Sequence, residues 1–180
     1  MTNLTDIKKI AILGLFLAVG IILAIFETYI PRPLPWIKPG LANVATLTVL
    51  YLFGPREAIS INSLRAVLVY LFTVGFGGPG FWIAFIASFV SAFAMFLVVR
   101  SSAPNVGPIG VSMVGAFAHI ISQLTIAGLF IVGRIEIIYL LPLFVFSTFF
   151  AGLAVGLLSF LILEHLQKRF SLRYAIPSGV

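Results

Sequence analysis

The chain has 180 residues, of which 61% are hydrophobic and only 9% charged. Soluble domains carry about 25% charged residues, so this composition excludes a soluble globular protein and indicates an integral membrane protein. The net charge of +6 is scattered and reads as membrane topology, not nucleic-acid binding, and the lack of cysteine excludes disulfides, thiolate metal sites and a cysteine nucleophile.

The apolar runs predict six transmembrane helices in a single all-α membrane domain over residues 1–180. A spanning helix needs about 20 residues, and the alternating segments of a membrane barrel are absent. The first helix runs from about Ile7 to Ile30. It is too long for a signal-peptide core and has no Ala-x-Ala site, so a retained helix is expected. Four prolines between Pro31 and Gly40 then dictate an ordered, non-helical loop, because each fixes φ and removes a donor. The second helix, about Leu41 to Phe53, is short. Gly54-Pro55 separates it from the third, about Arg56 to Phe72, with Pro55 suited to a first helical turn. The segment Thr73 to Gly80 holds four glycines and predicts a second irregular loop. The fourth helix covers about Phe81 to Arg100, the fifth about Ile109 to Val132 and the sixth about Ile138 to Phe170.

Loop charge sets the expected orientation. Lys8, Lys9, Arg56, Arg100, Lys168, Arg169 and Arg173 fall on one side, and Arg32, Lys38 and Arg134 on the other. Positive charge accumulates on the cytoplasmic side, so both termini are expected in the cytoplasm of a multi-pass cell-membrane protein. The proline-rich and glycine-rich loops then face outward.

Within this apolar frame Arg65 stands out, because arginine near the centre of a spanning helix costs roughly 2.5–3.5 kcal/mol on insertion scales. Asn62 lies three residues before it and on the same face, with Tyr70 toward the edge. The fifth helix presents Gly115, His119, Ser122 and Gln123 on one face. Glu27 sits one turn from the outer end of the first helix, Asn43 opens the second, and Lys38 lies in the loop between them. The orientation puts all of these in the outer half or middle of the bundle, converging on one outward-facing pocket. Trp36, Phe76, Phe81 and Trp82 would supply its walls or lids. Arg65, Lys38 and a protonated His119 against the single acid Glu27 favour a ligand with an anionic group.

Each residue also has a plainer reading. Arg65 can form a structural salt bridge with Glu27. His119, Gln123 and Asn62 can be interhelical hydrogen bonds alone. Asn43 suits a helix start, Lys38 and Arg32 can snorkel to headgroups, and Trp36 and Trp82 can be interface anchors in lipid. On the first helix, Gly14-x-x-x-Ala18 and Gly20-x-x-x-Ala24 form small-residue pairs that permit close approach of another helix, internal or from a partner.

Several chemistries lack their residues. There is no Gly-x-x-x-x-Gly-Lys-Ser/Thr phosphate loop. The only aspartate is Asp6, so the carboxylate cluster for Mg²⁺-assisted diphosphate chemistry is missing. Two histidines on separate helices make a poor metal site, and no nucleophile elbow is present. The expectation is no enzyme, no cofactor and no metal, with transport energy supplied by other subunits.

The stretches Lys38-Pro-Gly-Leu-Ala-Asn43-Val-Ala-Thr, Asn62-Ser-Leu-Arg65, Gly77-Gly-Pro-Gly-Phe81 and Gly115-Ala-Phe-Ala-His119-Ile-Ile-Ser-Gln123 resemble the Gx transporter family, also known as heptaprenyl diphosphate synthase component I. That family is grouped with the substrate-binding S components of energy-coupling factor (ECF) transporters. The resemblance implies a six-helix S-component bundle with substrate held near the outer surface, under the loop between the first two helices. It also implies a membrane-embedded coupling protein and two ATPases as partners. Gly14, Ala18, Gly20 and Ala24 would match the coupling-protein contact, as Gly-Ala pairs in place of the more usual Ala-x-x-x-Ala. The expected function is capture of a small anionic, vitamin-like or isoprenoid- or quinone-related molecule. Glu27, Trp36, Lys38, Asn43, Asn62, Arg65, His119 and Gln123 would form the site. The alternatives are an accessory subunit of a prenyl diphosphate synthase and a structural membrane protein without ligand.

Overall fold

An apolar helix surrounded by other helices needs no polar face, and the second helix of this chain has none. The computed structural model describes residues 4–29, 40–73, 77–102 and 106–170. Among them lie six α-helices: α1 (Leu4–Tyr29), α2 (Asn43–Phe53), α3 (Pro55–Phe72), α4 (Pro79–Ser102), α5 (Pro108–Ala127) and α6 (Leu141–Phe170). Every residue of α2 from Val44 to Tyr51 is buried, as expected of a helix that is hydrophobic all round. It packs against α1, α3, α4 and α6. Around it the chain passes from α3 to α4 to α5 to α6, and α6 returns to α2 and closes the bundle. The first helix lies outside this ring, against α2 and α3, with most of its apolar surface exposed.

Four of these helices are long and apolar enough to cross a membrane: Ile7–Tyr29 within α1, Pro79–Ser101 within α4, Pro108–Phe130 through α5, and Leu141–Lys168 within α6. The protein is therefore a helical membrane protein. The other two helices differ for separate reasons. With 11 residues, α2 reaches about 16 Å, roughly half the hydrocarbon thickness. At 18 residues α3 is longer, but it carries Arg56, Glu57 and Arg65.

The turn between α2 and α3 is a single residue, Gly54, with φ +99°. Its N–H donates to Leu50 O and its carbonyl accepts from Ala58 N–H, so it closes one helix and opens the next. Only glycine takes this left-handed conformation without strain, and Pro55 follows at the first helical position, where no amide hydrogen is needed. Beside this turn, Lys9 of α1 forms an ion pair with Glu57 of α3.

The fifth helix is shorter than the run to Val132 expected from sequence. Regular α-helix ends at Ala127, and Gly128–Val132 continue as a wider π turn. Gly133 then takes a left-handed conformation (φ +66°), and Arg134 N–H closes the turn on Gly128 O at 3.0 Å. A 3₁₀ segment, Ile135–Leu140, leads into α6, which starts at Leu141 because Pro142 fits only a first turn.

Two glycines of α6 let its backbone approach that of α5. A Cβ on Gly156 would stand 2.6 Å from Ile109 Cα, and one on Gly152 would stand 3.1 Å from Ala116 Cβ and 3.2 Å from Met113 Cα. Gly152 and Gly156 are four apart and share one face of α6, so they let two backbones approach. This pair was not among the small-residue motifs expected to matter. Gly156→Ala is expected to destabilise the fold by about 1–3 kcal/mol through overpacking against backbone. Exposed Leu157→Ala is the control. Thermal unfolding in mild detergent should show a lowered midpoint for the first variant and little change for the second.

Candidate functional site

A buried guanidinium needs acceptors, and the residues around Arg65 supply two. Arg65 is 5% exposed. Its Nη2 donates to Asn43 Oδ1 at 2.9 Å and to Asn62 Oδ1 at 2.7 Å. Asn62 is 2% exposed and is itself held: its Nδ2 donates to Ser88 O on α4 at 2.9 Å, and its Oδ1 also accepts from Thr46 Oγ1 on α2 at 3.3 Å. One asparagine thus ties α2, α3 and α4 together behind the arginine. The Arg65 stem is held from the other side by Gly20, where a Cβ would stand 3.2 Å from Arg65 Cδ.

Arg65 Nη1 is buried and has no hydrogen-bond partner among the described residues. Such a group costs about 1–3 kcal/mol, and more when charged. It borders a cavity of about 130 Å³ lined by all six helices, at the end of the bundle where α1 and α3 finish and α2 and α4 begin.

Glu27 lines the same cavity and is 3% exposed. It accepts a hydrogen bond from Ala42 N–H at 3.3 Å. Ala42 precedes α2 and offers no side-chain cap, so Glu27 satisfies a free amide at that helix N-terminus and complements its positive end. Glu27 also acts on Arg65 through space. The hydrogen bonds of Arg65 run to the two asparagines, in place of the Glu27 salt bridge that the sequence left open. Asn43 was expected as a helix-start residue. It lies one position inside α2, and its side chain accepts from Arg65 instead of capping.

His119 and Gln123 of α5 also line the cavity, so five of the expected residues, Glu27, Asn43, Arg65, His119 and Gln123, share its walls. Asn62 stands behind that wall. Trp36 and Lys38 lie outside the described residues, as do Phe76 and Arg32. Phe81 is 2% exposed in an aromatic cluster with Tyr70, Trp82 and Phe85, with the Tyr70 and Phe81 rings 5.6 Å apart edge to face. It supports Tyr70, which does line the cavity, whereas half of Trp82 is exposed.

Sequence reasoning missed the hydroxyl groups of the site. Ser88 and Ser91 on α4, Ser112 on α5, and Ser147 and Thr148 on α6 all face the cavity. Ser91 Oγ donates to Gly115 O at 2.8 Å, and Ser147 Oγ to Phe144 O at 2.9 Å. Single hydroxyls in apolar helices are common, and only the packing of three helices shows that these share a space. Spacing from Gln123 and His119 would have marked Ser112 as a neighbour, because it lies on the same face of α5.

The four small residues of α1 do not form one surface. Gly14 and Ala18 are exposed, whereas Gly20 is buried against Arg65 and Ala24 lines the cavity. The reason is angular: six residues turn a helix by about 240°, so Gly20 and Ala24 cannot share the face of Gly14 and Ala18.

Removing Asn62 would leave Arg65, Thr46 and the Ser88 carbonyl each short of a partner. Asn62→Leu is therefore expected to lower stability by about 1–3 kcal/mol, measured as a reduced unfolding midpoint in detergent. Ser60→Ala on the exposed face of α3 should have little effect.

The sequence profile of the heptaprenyl diphosphate synthase component I family matches residues 16–162. No curated protein and no solved structure matches the chain. The matched span includes every residue that lines the cavity, and the chain belongs to the heptaprenyl diphosphate synthase component I family.

Proposed function

We propose that this protein is the substrate-binding subunit of an ECF-type importer, capturing a small molecule with an anionic group from outside the cell. The observation that carries the reading is Arg65: a nearly buried cation with an unpartnered amino group at a cavity whose mostly apolar walls carry several polar side chains. Arg65 would receive the anionic group, His119 would orient it, and Gln123 would hydrogen-bond the ligand. Asn43 and Asn62 would hold the arginine, and Glu27 would fix the first turn of α2 beside it. Lys38 and Trp36, in the segment between α1 and α2, would complete the site. The missing phosphate loop agrees with energy from a separate coupling protein and two ATPases. Contact with that coupling protein would use the exposed Gly14 and Ala18.

The same reading has six segments crossing the cell membrane, α2 shielded inside the bundle, and both termini in the cytoplasm. The chain has no cysteine, so introduced single cysteines report cleanly on topology. Arg134→Cys should react with a membrane-impermeant thiol reagent added to intact cells. Arg100→Cys should react only after the membrane is opened.

A second reading rests on the family's name: an accessory membrane subunit of a prenyl diphosphate synthase. A soluble prenyltransferase retained on the purified protein would favour it. The deciding test of the first reading is mass spectrometry of small molecules extracted from protein purified in mild detergent. A compound is expected with the native protein and its loss with Arg65→Ala. Arg65→Lys should lose it as well, because an ammonium cannot satisfy two asparagine oxygens and still present a planar donor edge. Retention of the compound by a folded Arg65→Ala variant would refute the site.

A further inference from the structure

Small side chains facing a void leave room for a chain, and three helices present them beyond Arg65. Asn62 donates to Ser88 O and accepts from Arg65 Nη2, so the guanidinium stands level with Ser88 on α4. From that level the cavity continues along the bundle to Met95, seven residues further on α4 and so about 10 Å away. Over this depth α5 contributes Gly115 and Ala116, and α6 contributes Ala151, Gly152 and Val155.

The two parts of the cavity differ in chemistry. Among the described residues, its ionisable lining groups stand at the level of Ser88 or on the side away from Met95. Glu27 meets the start of α2, and Tyr70 lies near the first turn of α4. Ser91 Oγ on Gly115 O fixes the level of α5, so His119 lies one turn beyond, toward that same side. Past Ser88 the walls are apolar apart from two hydroxyls, that of Ser91, committed to Gly115 O, and that of Ser112. A polar group there would give up water for walls that return few hydrogen bonds. This part is also narrow. A Cβ on Gly115 would stand 2.6 Å from Met95 Cγ, and one on Gly152 would stand 3.1 Å from Ala116 Cβ. Such approaches leave a slot between helices, not a broad chamber.

We infer that the cavity binds an amphiphile. Its compact anionic group sits on Arg65 Nη1, and one slender apolar tail lies between α4, α5 and α6, with Met95 at the far end setting the tail length. Bonds of ~1.5 Å advance an extended chain by about 1.3 Å each, so about eight carbons fill this depth. The inference rests on the capture reading and adds a tail to the anionic group received there.

The test uses the full chain in lipid nanodiscs, with nanodiscs lacking the protein as the blank for partitioning. Affinities are measured for straight-chain carboxylates and alkyl monophosphates from butyl to tetradecyl, and for the matching alcohols. Affinity of the acids should rise by up to about fourfold per methylene, reach a maximum near octyl and fall beyond it. Arg65→Gln should weaken the acids roughly ten- to hundredfold, the range for a lost charged hydrogen bond, and leave the alcohols unchanged. Met95→Ala should move the maximum to longer chains, and Ala151→Leu to shorter ones. Retained binding of the shortest acids shows that each variant is folded, and either variant alone decides the point. A maximum that stays in place in a folded variant, affinity that rises with length only as the blank does, or an extracted native compound without an apolar tail overturns the amphiphile and leaves capture intact. No binding across the series and nothing extracted overturns both.

Discussion

The desolvation of one guanidinium organises this bundle. Packed helices leave Arg65 only 5% exposed, so the protein must itself provide acceptors that water would otherwise supply. Asn62 and Asn43 supply two oxygens to Arg65 Nη2. Asn62 reaches this geometry only because Thr46 and the Ser88 carbonyl hold its amide. Gly20 must lack a side chain for the arginine stem to pass. Four helices therefore depend on the placement of one charge, and the charge remains only partly satisfied.

The two kinds of close packing divide the molecule into parts with different tasks. Between α5 and α6, Gly152 and Gly156 bring backbones together and make a rigid wall for the cavity. Lipid tails are as apolar as leucine, so such association depends on contact, not on hydrophobic exclusion. On α1 the packing is lighter: the helix rests on α2 and α3 and leaves most of its surface uncovered. Its ties are specific ones, Lys9 to Glu57 at one end and Glu27 to the start of α2 at the other. The cavity lies between this wall and the more exposed first helix, an arrangement that favours the proposed capture role.

Much of this protein was legible in its residues. Composition alone dictated a membrane protein, since a chain 61% hydrophobic and 9% charged cannot remain in water as a packed domain. Helix positions followed from apolar runs and from Pro and Gly, which punctuate because they limit the backbone locally. Arg65, Asn62, His119, Gln123, Glu27 and Asn43 were visible as candidates because each is costly within an apolar helix.

Tertiary structure decided the rest, because it concerns distances between helices. Which acceptor Arg65 takes was open in the sequence, and packing chose Asn43 and Asn62, leaving Glu27 to cap α2. The small residues of α1 had one pattern but two directions, and the true close-approach pair lay on α6. The serines and threonine of the cavity looked like ordinary hydroxyls until three helices brought them together. Local sequence specifies periodicity and punctuation, which act over a few residues. The partner of a buried polar group is chosen across tens of residues, by whichever helix packs beside it.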